Sequence, residues 1–225
     1  ITLDPTTVMR VEIPDMEKGM GSIYLRGGVL DSFNGTTWEK ERHKLMPVKK
    51  EGLDFQLHKS VNPLVRQEII LDPLDSKVVF GMPKMIRLSG RFPSLFSDDY
   101  DAGYLPVSPT SRFQYTAYSD ISSPTASELD ADRAAFPPEV VDLYTRIPPL
   151  SEEVKELALS ITANSQTTYR KATAIDNYLK GNYTYTLDPE RDESLPPVED
   201  FLLKSKEGYC DHFSTAMAVL LRLQG

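Results

Sequence analysis

The spacing of apolar residues changes near Ser151 and divides the 225-residue chain into two kinds of predicted structure. Before Ser151, short segments alternate apolar and polar residues, which is the period of half-buried β-strands. After it, apolar residues recur with the spacing of an amphipathic helix, first at Val154, Leu157, Ala158 and Ile161. We therefore predict an α+β chain, with an antiparallel β-rich domain followed by helices.

Turn signals separate the predicted strands of the first part. The Asn34-Gly35 pair is typical of a tight β-hairpin and lies between two candidate strands. Short strands at fairly regular spacing indicate an antiparallel sandwich or a barrel-like domain. The candidate strands span residues 8–13, 21–30, 37–42, 65–71, 77–80, 85–88 and 112–118.

Three regions follow from these patterns. Residues 1–118 form the predicted β-rich domain, and residues 151–225 form a helical region. Residues 119–150 are polar and punctuated by prolines, which predicts a linker containing one short helical turn.

Start and stop signals outline the predicted helices of the second part. Ser151 is a candidate N-cap with two glutamates after it, and Gly181 is a candidate C-terminal cap for a helix that begins near Thr168. A short helix is expected at 198–203, and Cys210 opens the last one. That last helix is apolar nearly all round, which is typical of the middle of a domain.

Composition excludes several classes of function. The formal net charge is −8 and no run of Lys or Arg occurs, so we expect no nucleic-acid partner. The three histidines, His43, His58 and His212, do not stand with Cys, Asp or Glu at metal-ligand spacing, and no cofactor is expected. The chain contains no apolar run of about 20 residues and starts with neither Met nor a signal peptide. We therefore expect a piece of a longer protein.

Cys210 is the single cysteine, so it cannot form an internal disulfide. Its predicted place at a helix N-terminus favours the thiolate, which is the nucleophilic form of cysteine. The simpler interpretation is a buried, inert cysteine.

The second part resembles the start of a transglutaminase-like core, which is a papain-like cysteine-enzyme fold. The resemblance rests on two helices followed by Tyr183-Thr184-Tyr185, Phe201-Leu202-Leu203, Gly208-Tyr209-Cys210-Asp211-His212-Phe213 and a final helix. Residues 22–38, including Trp38, resemble the extracytoplasmic β-domain of bacterial membrane-anchored transglutaminase-like proteins.

The resemblance implies that Cys210 is the nucleophile and that a histidine and an aspartate on later strands complete the triad. It implies acyl transfer to an amine, or hydrolysis, at amide groups of a protein or peptide substrate through a Cys210 thioester. It also implies a location in the periplasm or at the face of the cell envelope, with membrane attachment through flanking segments. Because the sequence stops before the partners of Cys210, this chain alone is predicted to be inactive. The alternative is a non-catalytic interaction module with a relic core.

Residues beside the candidate nucleophile have simpler interpretations. Residues two apart on a helix point in nearly opposite directions, so we expect His212 to be structural rather than the base for Cys210. The charge of Asp211 opposes thiolate formation next to it. Tyr183, Tyr185 and Tyr209 are candidates for the oxyanion site or the cleft wall, with core packing as the commoner role.

We also expect the last helix to expose its apolar face, because the strands that cover it in the resembling family are missing. That exposure predicts aggregation, dimerisation or disorder after about Lys204.

Overall fold

The computed structural model describes residues 4–14, 22–41 and 44–225. His43, and the predicted strand residues Gly21 and Arg42, lie outside the described residues. The chain forms two compact units. A β-rich unit contains the described residues of Leu3–Val29 and Arg42–Ser123, and a helical unit contains those of Leu30–Glu41 and Pro124–Gly225.

Short strands dominate the first half of the chain, and helices dominate the second. The described strands are β1 (Met9–Glu12), β2 (Ser32–Phe33), β3 (Trp38–Glu39), β4 (Met46–Pro47), β5 (Lys50–Glu51), β6 (Asp54–Gln56), β7 (Val65–Leu71), β8 (Val78–Val79), β9 (Met85–Gly90), β10 (Phe96–Ser97), β11 (Gly103–Tyr104), β12 (Phe113–Ser119), β13 (Thr184–Tyr185) and β14 (Glu207–Gly208). The described helices are α1 (Ala126–Ala131), α2 (Pro138–Tyr144), α3 (Glu152–Thr162), α4 (Thr168–Asn182), α5 (Pro197–Glu199), a π-helical turn (Asp200–Ser205) and α6 (Cys210–Arg222).

Two antiparallel sheets build the β-rich unit. One has the strand order β1-β7-β12-β9-β6-β5, and the other has the order β4-β10-β11-β8. Alternate residues of β7 and β12 point into the core, so Ile69 and Tyr115 are almost fully buried. Val79 and Leu95 join the same apolar cluster from the region of the second sheet. The antiparallel β-rich architecture predicted from the alternating pattern is confirmed.

The helical unit is held together by the apolar faces of α3, α4 and α6. Val154, Ile175 and Leu220 are fully buried, one from each helix. Burying an apolar side chain of this size contributes about 1.5–3 kcal/mol to the free energy that stabilises the folded state. The expected exposure after Lys204 is wrong for the face of α6 that carries Ala216, Val219 and Leu220, because α3 and α4 pack against it.

The predicted linker contains two helices instead of one short turn. Thr125 caps α1 by accepting a hydrogen bond from the Glu128 N–H, and the Glu128 carboxylate accepts one from the Thr125 N–H at 2.8 Å. The Arg170 guanidinium on α4 donates to both carboxylate oxygens of Asp130 on α1. These contacts attach the first part of the segment to the helical unit.

Two of the predicted helix ends differ in detail. α3 begins directly after Ser151 as predicted, but the Ser151 hydroxyl makes no cap, and its N–H donates to Oε1 of Glu199 at 3.1 Å. Gly181 does not cap α4, because the helix continues to Asn182 and is followed by Tyr183 in an extended conformation.

The hairpin predicted at Asn34-Gly35 is present, with shorter strands than expected. β2 pairs with β3 through Phe33 and Trp38. The Asn34 Oδ1 accepts hydrogen bonds from the Thr36 and Thr37 N–H groups, and Gly35 adopts a φ of 104°. Phe33 is buried in the core of the helical unit, so this hairpin belongs to that unit although it comes early in the sequence.

Candidate active site

The backbone that leads to Cys210 is fixed on both sides. Lys206 takes a left-handed conformation with a φ of 54°, which ends the π-helical turn and redirects the chain. The next two residues, β14, pair in parallel with β13. The Thr184 N–H donates to the Lys206 carbonyl at 2.9 Å, and the Thr186 N–H donates to the Gly208 carbonyl at 2.8 Å. α6 therefore starts from an anchored strand.

Cys210 is the first residue of α6, as the sequence predicts, and its side chain is exposed. The interpretation of Cys210 as a buried cysteine is therefore wrong. The thiol donates to Oδ1 of Asp211, with Sγ and Oδ1 3.6 Å apart. Solvent therefore reaches Cys210, and the Asp211 carboxylate accepts the hydrogen bond of its thiol.

His212 is a packing residue at the start of α6. Its Nδ1 accepts a hydrogen bond from the Tyr209 N–H at 3.4 Å, and its ring meets the edge of the Tyr209 ring at a centroid distance of 4.4 Å. Phe201 covers another side at 5.6 Å. Burial lowers the pKa of His212, although the charge of Asp211 acts in the opposite direction. A neutral ring that uses Nδ1 as an acceptor fits the structural role predicted for it.

Gly208 makes room for that ring. A Cβ placed on Gly208 would lie 2.7 Å from Cγ of His212, which is closer than carbon atoms approach without displacement. The glycine of the Gly-x-Cys motif therefore has a steric reason. Gly208 was part of the stretch that carried the family resemblance, but no local sequence pattern predicts its contact with His212.

The three tyrosines predicted for the oxyanion site or the cleft wall lie in different environments. Tyr183 is buried, its hydroxyl donates to the Leu202 carbonyl at 2.8 Å, and burial raises its pKa. Because the Tyr183 hydroxyl donates its proton to the Leu202 carbonyl inside the core, this geometry does not fit an oxyanion role for Tyr183. The Tyr185 side chain is exposed and lies near Phe213, with the ring centroids 6.1 Å apart. Tyr209 lines a cavity beside α6.

Two cavities flank the first turns of α6, with volumes of about 290 Å³ and 730 Å³. Both are lined by Thr36 of the hairpin and by Asp211 and Thr215 of α6. Arg191 and Tyr209 line the smaller one. Residues of the β2–β3 hairpin and of α6, the helix that begins at Cys210, therefore line both cavities.

Trp38 attaches the hairpin to α6. Its Nε1 donates to Oγ1 of Thr215 at 2.9 Å, and its ring stacks on Phe33 at a centroid distance of 4.9 Å. The Arg222 guanidinium carbon lies 4.9 Å from the centroid of the Trp38 ring, and Nη2 of Arg222 donates to the Asp31 carbonyl at 2.7 Å. Trp38 is thus a packing residue of the hairpin. Its partner Thr215, 177 positions along the chain, was missed.

Nothing in the described part of the helical unit supplies a second imidazole near Cys210, since His212 is the only histidine of that unit. His58 belongs to the β-rich unit, where its Nε2 lies 2.8 Å from Oδ1 of Asp101. Among the described residues, no cluster of three or more His, Cys, Asp or Glu residues is arranged to hold a metal ion. No helix in the described ranges is long and apolar enough to span a bilayer.

An antiparallel β-rich unit, joined to a helical unit whose core helix opens with an exposed cysteine, has the organisation of a transglutaminase-like protein. The chain belongs to the TgpA N-terminal domain family, whose model matches residues 1–126. Residues 155–225 match the transglutaminase-like superfamily.

Two proteins are similar to this chain, one of them in two solved structures. The periplasmic domain of TgpA from Pseudomonas aeruginosa is 18% identical and superposes with a TM-score of 0.72, over 96% of this chain and 70% of that domain. A second structure of that domain, bound to ethylmercury, gives a TM-score of 0.71 over 96% of this chain and 71% of that domain. The uncharacterized protein YebA of Bacillus subtilis (strain 168) is 40% identical in an alignment of 90 residues that covers 37% of this chain and 12% of YebA.

Proposed function

We propose that this chain is the extracytoplasmic β-domain and the nucleophile-bearing part of a transglutaminase-like cysteine enzyme, with Cys210 as the nucleophile. The observation that carries the proposal is the exposed thiol at the first residue of α6, inside the region that matches the transglutaminase-like superfamily.

The proposed reaction is acyl transfer from a protein or peptide amide. The thiolate attacks the amide carbonyl, a C–S bond forms, and the C–N bond breaks as the leaving amine takes a proton from a general acid. The resulting thioester is then attacked by an amine, which gives transfer, or by water, which gives hydrolysis. Either step releases the thiol for another cycle, and no cofactor is consumed.

This 225-residue chain alone is expected to lack turnover. A cysteine nucleophile normally works with an imidazole that removes its proton and a third group that orients that imidazole. In the described helical unit, Cys210 is hydrogen-bonded to Asp211, and the Nδ1 of His212 is occupied by the Tyr209 N–H. The base and its orienting acid would come from elsewhere in the natural protein.

The proposed location is outside the cytoplasm, in the periplasm or at the face of the cell envelope. Two observations support it, namely the match to the TgpA N-terminal domain family and the fold shared with the periplasmic domain of TgpA from Pseudomonas aeruginosa. A membrane anchor supplied by flanking segments belongs to the same proposal. The net charge of −8 is consistent with a protein or peptide substrate and gives no support for nucleic acid.

The test compares the natural gene product containing these residues with its Cys210→Ala variant. Casein supplies side-chain amides, and hydroxylamine traps the acyl group as a hydroxamate that is measured colorimetrically. We expect hydroxamate formation that is lost in Cys210→Ala. Turnover that persists unchanged in the variant would contradict the proposal.

The second candidate is a non-catalytic interaction module with a relic core. The observation that favours it is that the Cys210 thiol contacts Oδ1 of Asp211 instead of an imidazole base. A natural gene product that forms no hydroxamate, and whose cysteine reacts with iodoacetamide no faster than a small-molecule thiol, would support this candidate.

A further inference from the structure

The β2–β3 hairpin lies, by sequence, in the region that matches the TgpA N-terminal domain family, yet it packs in the helical unit. Phe33 is buried in the helical core, and the Trp38 indole donates to Thr215 of α6. The hairpin therefore forms a fixed surface beside the helix that starts at Cys210.

The larger cavity lies between this hairpin and one face of α6. The residues of α6 that line it follow helical spacing and are Asp211, Ser214, Thr215, Ala218 and Arg222. The hairpin side is formed by Leu30, Thr36, Thr37 and Trp38. The volume of about 730 Å³ falls within the range of about 300–1,000 Å³ that is typical of ligand sites.

The charges that line this cavity are separated along the helix. Asp211 stands at the end next to Cys210, and Arg222 stands eleven residues further on, which corresponds to about 16 Å of helix. The Arg222 guanidinium donates to the carbonyls of Asp31 and Arg146 and lies over the Trp38 ring. The end of the cavity beside the thiol is therefore anionic.

Four hydroxyl groups line the same cavity and can accept hydrogen bonds from a cationic ligand. These are Thr36, Thr37, Ser214 and Thr215. The oxygens of Thr37 and Thr215 already accept hydrogen bonds from Asn34 and Trp38, and a hydroxyl oxygen has a second lone pair. An ammonium or guanidinium group carries several N–H donors and no acceptor atom, so it can donate to these oxygens. Its hydrogen bond to the adjacent carboxylate is strengthened by the opposite charges.

We propose that the cavity between the β2–β3 hairpin and α6 is a substrate subsite that takes a cationic side chain of a peptide, with Asp211 as its specificity-determining residue. This inference rests on the proposed function, in which Cys210 attacks the same peptide. It also assigns a role to the N-terminal family region, which supplies one wall of the substrate cleft.

The experiment measures how fast iodoacetamide alkylates Cys210 in the 225-residue chain, with and without tetralysine as the probe. In this reaction the sulfur displaces iodide from carbon, and the thiol proton passes to the buffer. Tetraglutamate at equal ionic strength is the charge control. We expect tetralysine to slow alkylation about fivefold to tenfold, as one charge interaction at short range allows, and tetraglutamate to leave the rate unchanged.

Two variants locate the effect in the cavity. Asp211→Asn removes the anionic end, and Leu30→Trp fills the cavity from the hairpin side, where Leu30 is exposed. Protection by tetralysine should be lost in both. Two matched controls, Glu153→Gln and Leu159→Trp on the exposed surface of α3, should keep it.

Three results would overturn the inference: no protection in the parent chain, equal protection by tetraglutamate, or full protection retained in Leu30→Trp. Each is independent of the proposed function. Hydroxamate formation that depends on Cys210 can persist when tetralysine gives no protection, and tetralysine can protect a cysteine that performs no turnover.

Discussion

Gly208 and His212 are in steric contact at the entry to α6, where a Cβ on residue 208 would lie 2.7 Å from the imidazole Cγ. The same imidazole accepts the hydrogen bond of the Tyr209 N–H. The glycine before the candidate nucleophile and the histidine after it therefore form one packing arrangement that fixes how the chain enters the helix.

This contact predicts that Gly208→Ala is destabilising. The added methyl group must displace the His212 ring, and overpacking of this kind costs about 1–3 kcal/mol in the free energy of unfolding. Urea denaturation followed by circular dichroism measures the loss. Gly181→Ala is the matched control, since nothing lies within 4 Å of its added Cβ and it is inside α4. The control should gain about 0.5–1 kcal/mol, and equal effects at both sites would contradict the steric argument.

The lowered pKa of His212 predicts a pH dependence of stability. Burial lowers the pKa in the folded state below its ordinary value of 6.5, so the unfolded chain binds a proton more readily. The stabilising contribution is therefore complete above about pH 6.5 and is lost as the pH falls through the folded-state pKa.

Urea unfolding at about pH 7.5 and about pH 5, on either side of the ordinary histidine pKa, measures this loss. His212→Asn keeps an acceptor for the Tyr209 N–H but does not titrate. The free energy of unfolding should fall less in the variant than in the parent chain between these two pH values. An identical fall in both proteins would show that His212 is not responsible.

The buried hydroxyl of Tyr183 predicts a structural effect without a chemical one. Tyr183→Phe leaves the Leu202 carbonyl without its donor, which costs about 1–3 kcal/mol of stability. The rate at which iodoacetamide alkylates Cys210 should not change. Tyr185→Phe, at an exposed position, should alter stability by less than about 0.5 kcal/mol. A changed alkylation rate in Tyr183→Phe with unchanged stability would contradict the structural role assigned to this hydroxyl.

The bond between Trp38 and Thr215 predicts energetic coupling between the hairpin and α6. In a double-mutant cycle of Trp38→Phe and Thr215→Val, the coupling energy should be about 0.5–1.5 kcal/mol, the net value of one hydrogen bond. A second cycle pairs Trp38→Phe with Ser214→Ala, because the Ser214 hydroxyl donates to the Asp211 carbonyl instead. That control should be additive. Additivity in the first cycle would mean that this hydrogen bond does not hold the hairpin on α6.

Local sequence patterns were sufficient for some elements of the fold, whereas the short strands between residues 46 and 56 and the helices α1 and α2 were not predicted. The alternation of β7, the Asn34-Gly35 turn and the start of α6 at Cys210 were all predictable, because each depends on neighbours along the chain. The resemblance carried the assignment of Cys210 as the nucleophile, which remains a proposal.

Long-range packing could not be predicted in the same way. The grouping of the hairpin with the helices depends on Phe33 entering a core built more than 100 residues later, and no local period records such a contact. The hydroxyl of Tyr183 is likewise committed to Leu202 by the tertiary fold. Phe33 and Trp38 lie directly opposite each other in the hairpin. Two large aromatic residues in so short a hairpin are the local signal from which its packing against another element could have been predicted.

The central claim is that Cys210 carries the acyl group during turnover. The most direct measurement is intact and peptide-level mass spectrometry of the natural gene product, quenched in acid during reaction with casein peptides. The account predicts a thioester-linked peptide on the fragment that contains Cys210, which hydroxylamine removes and which is absent from Cys210→Ala. Substrate turnover without any adduct at Cys210, and undiminished in Cys210→Ala, would contradict it.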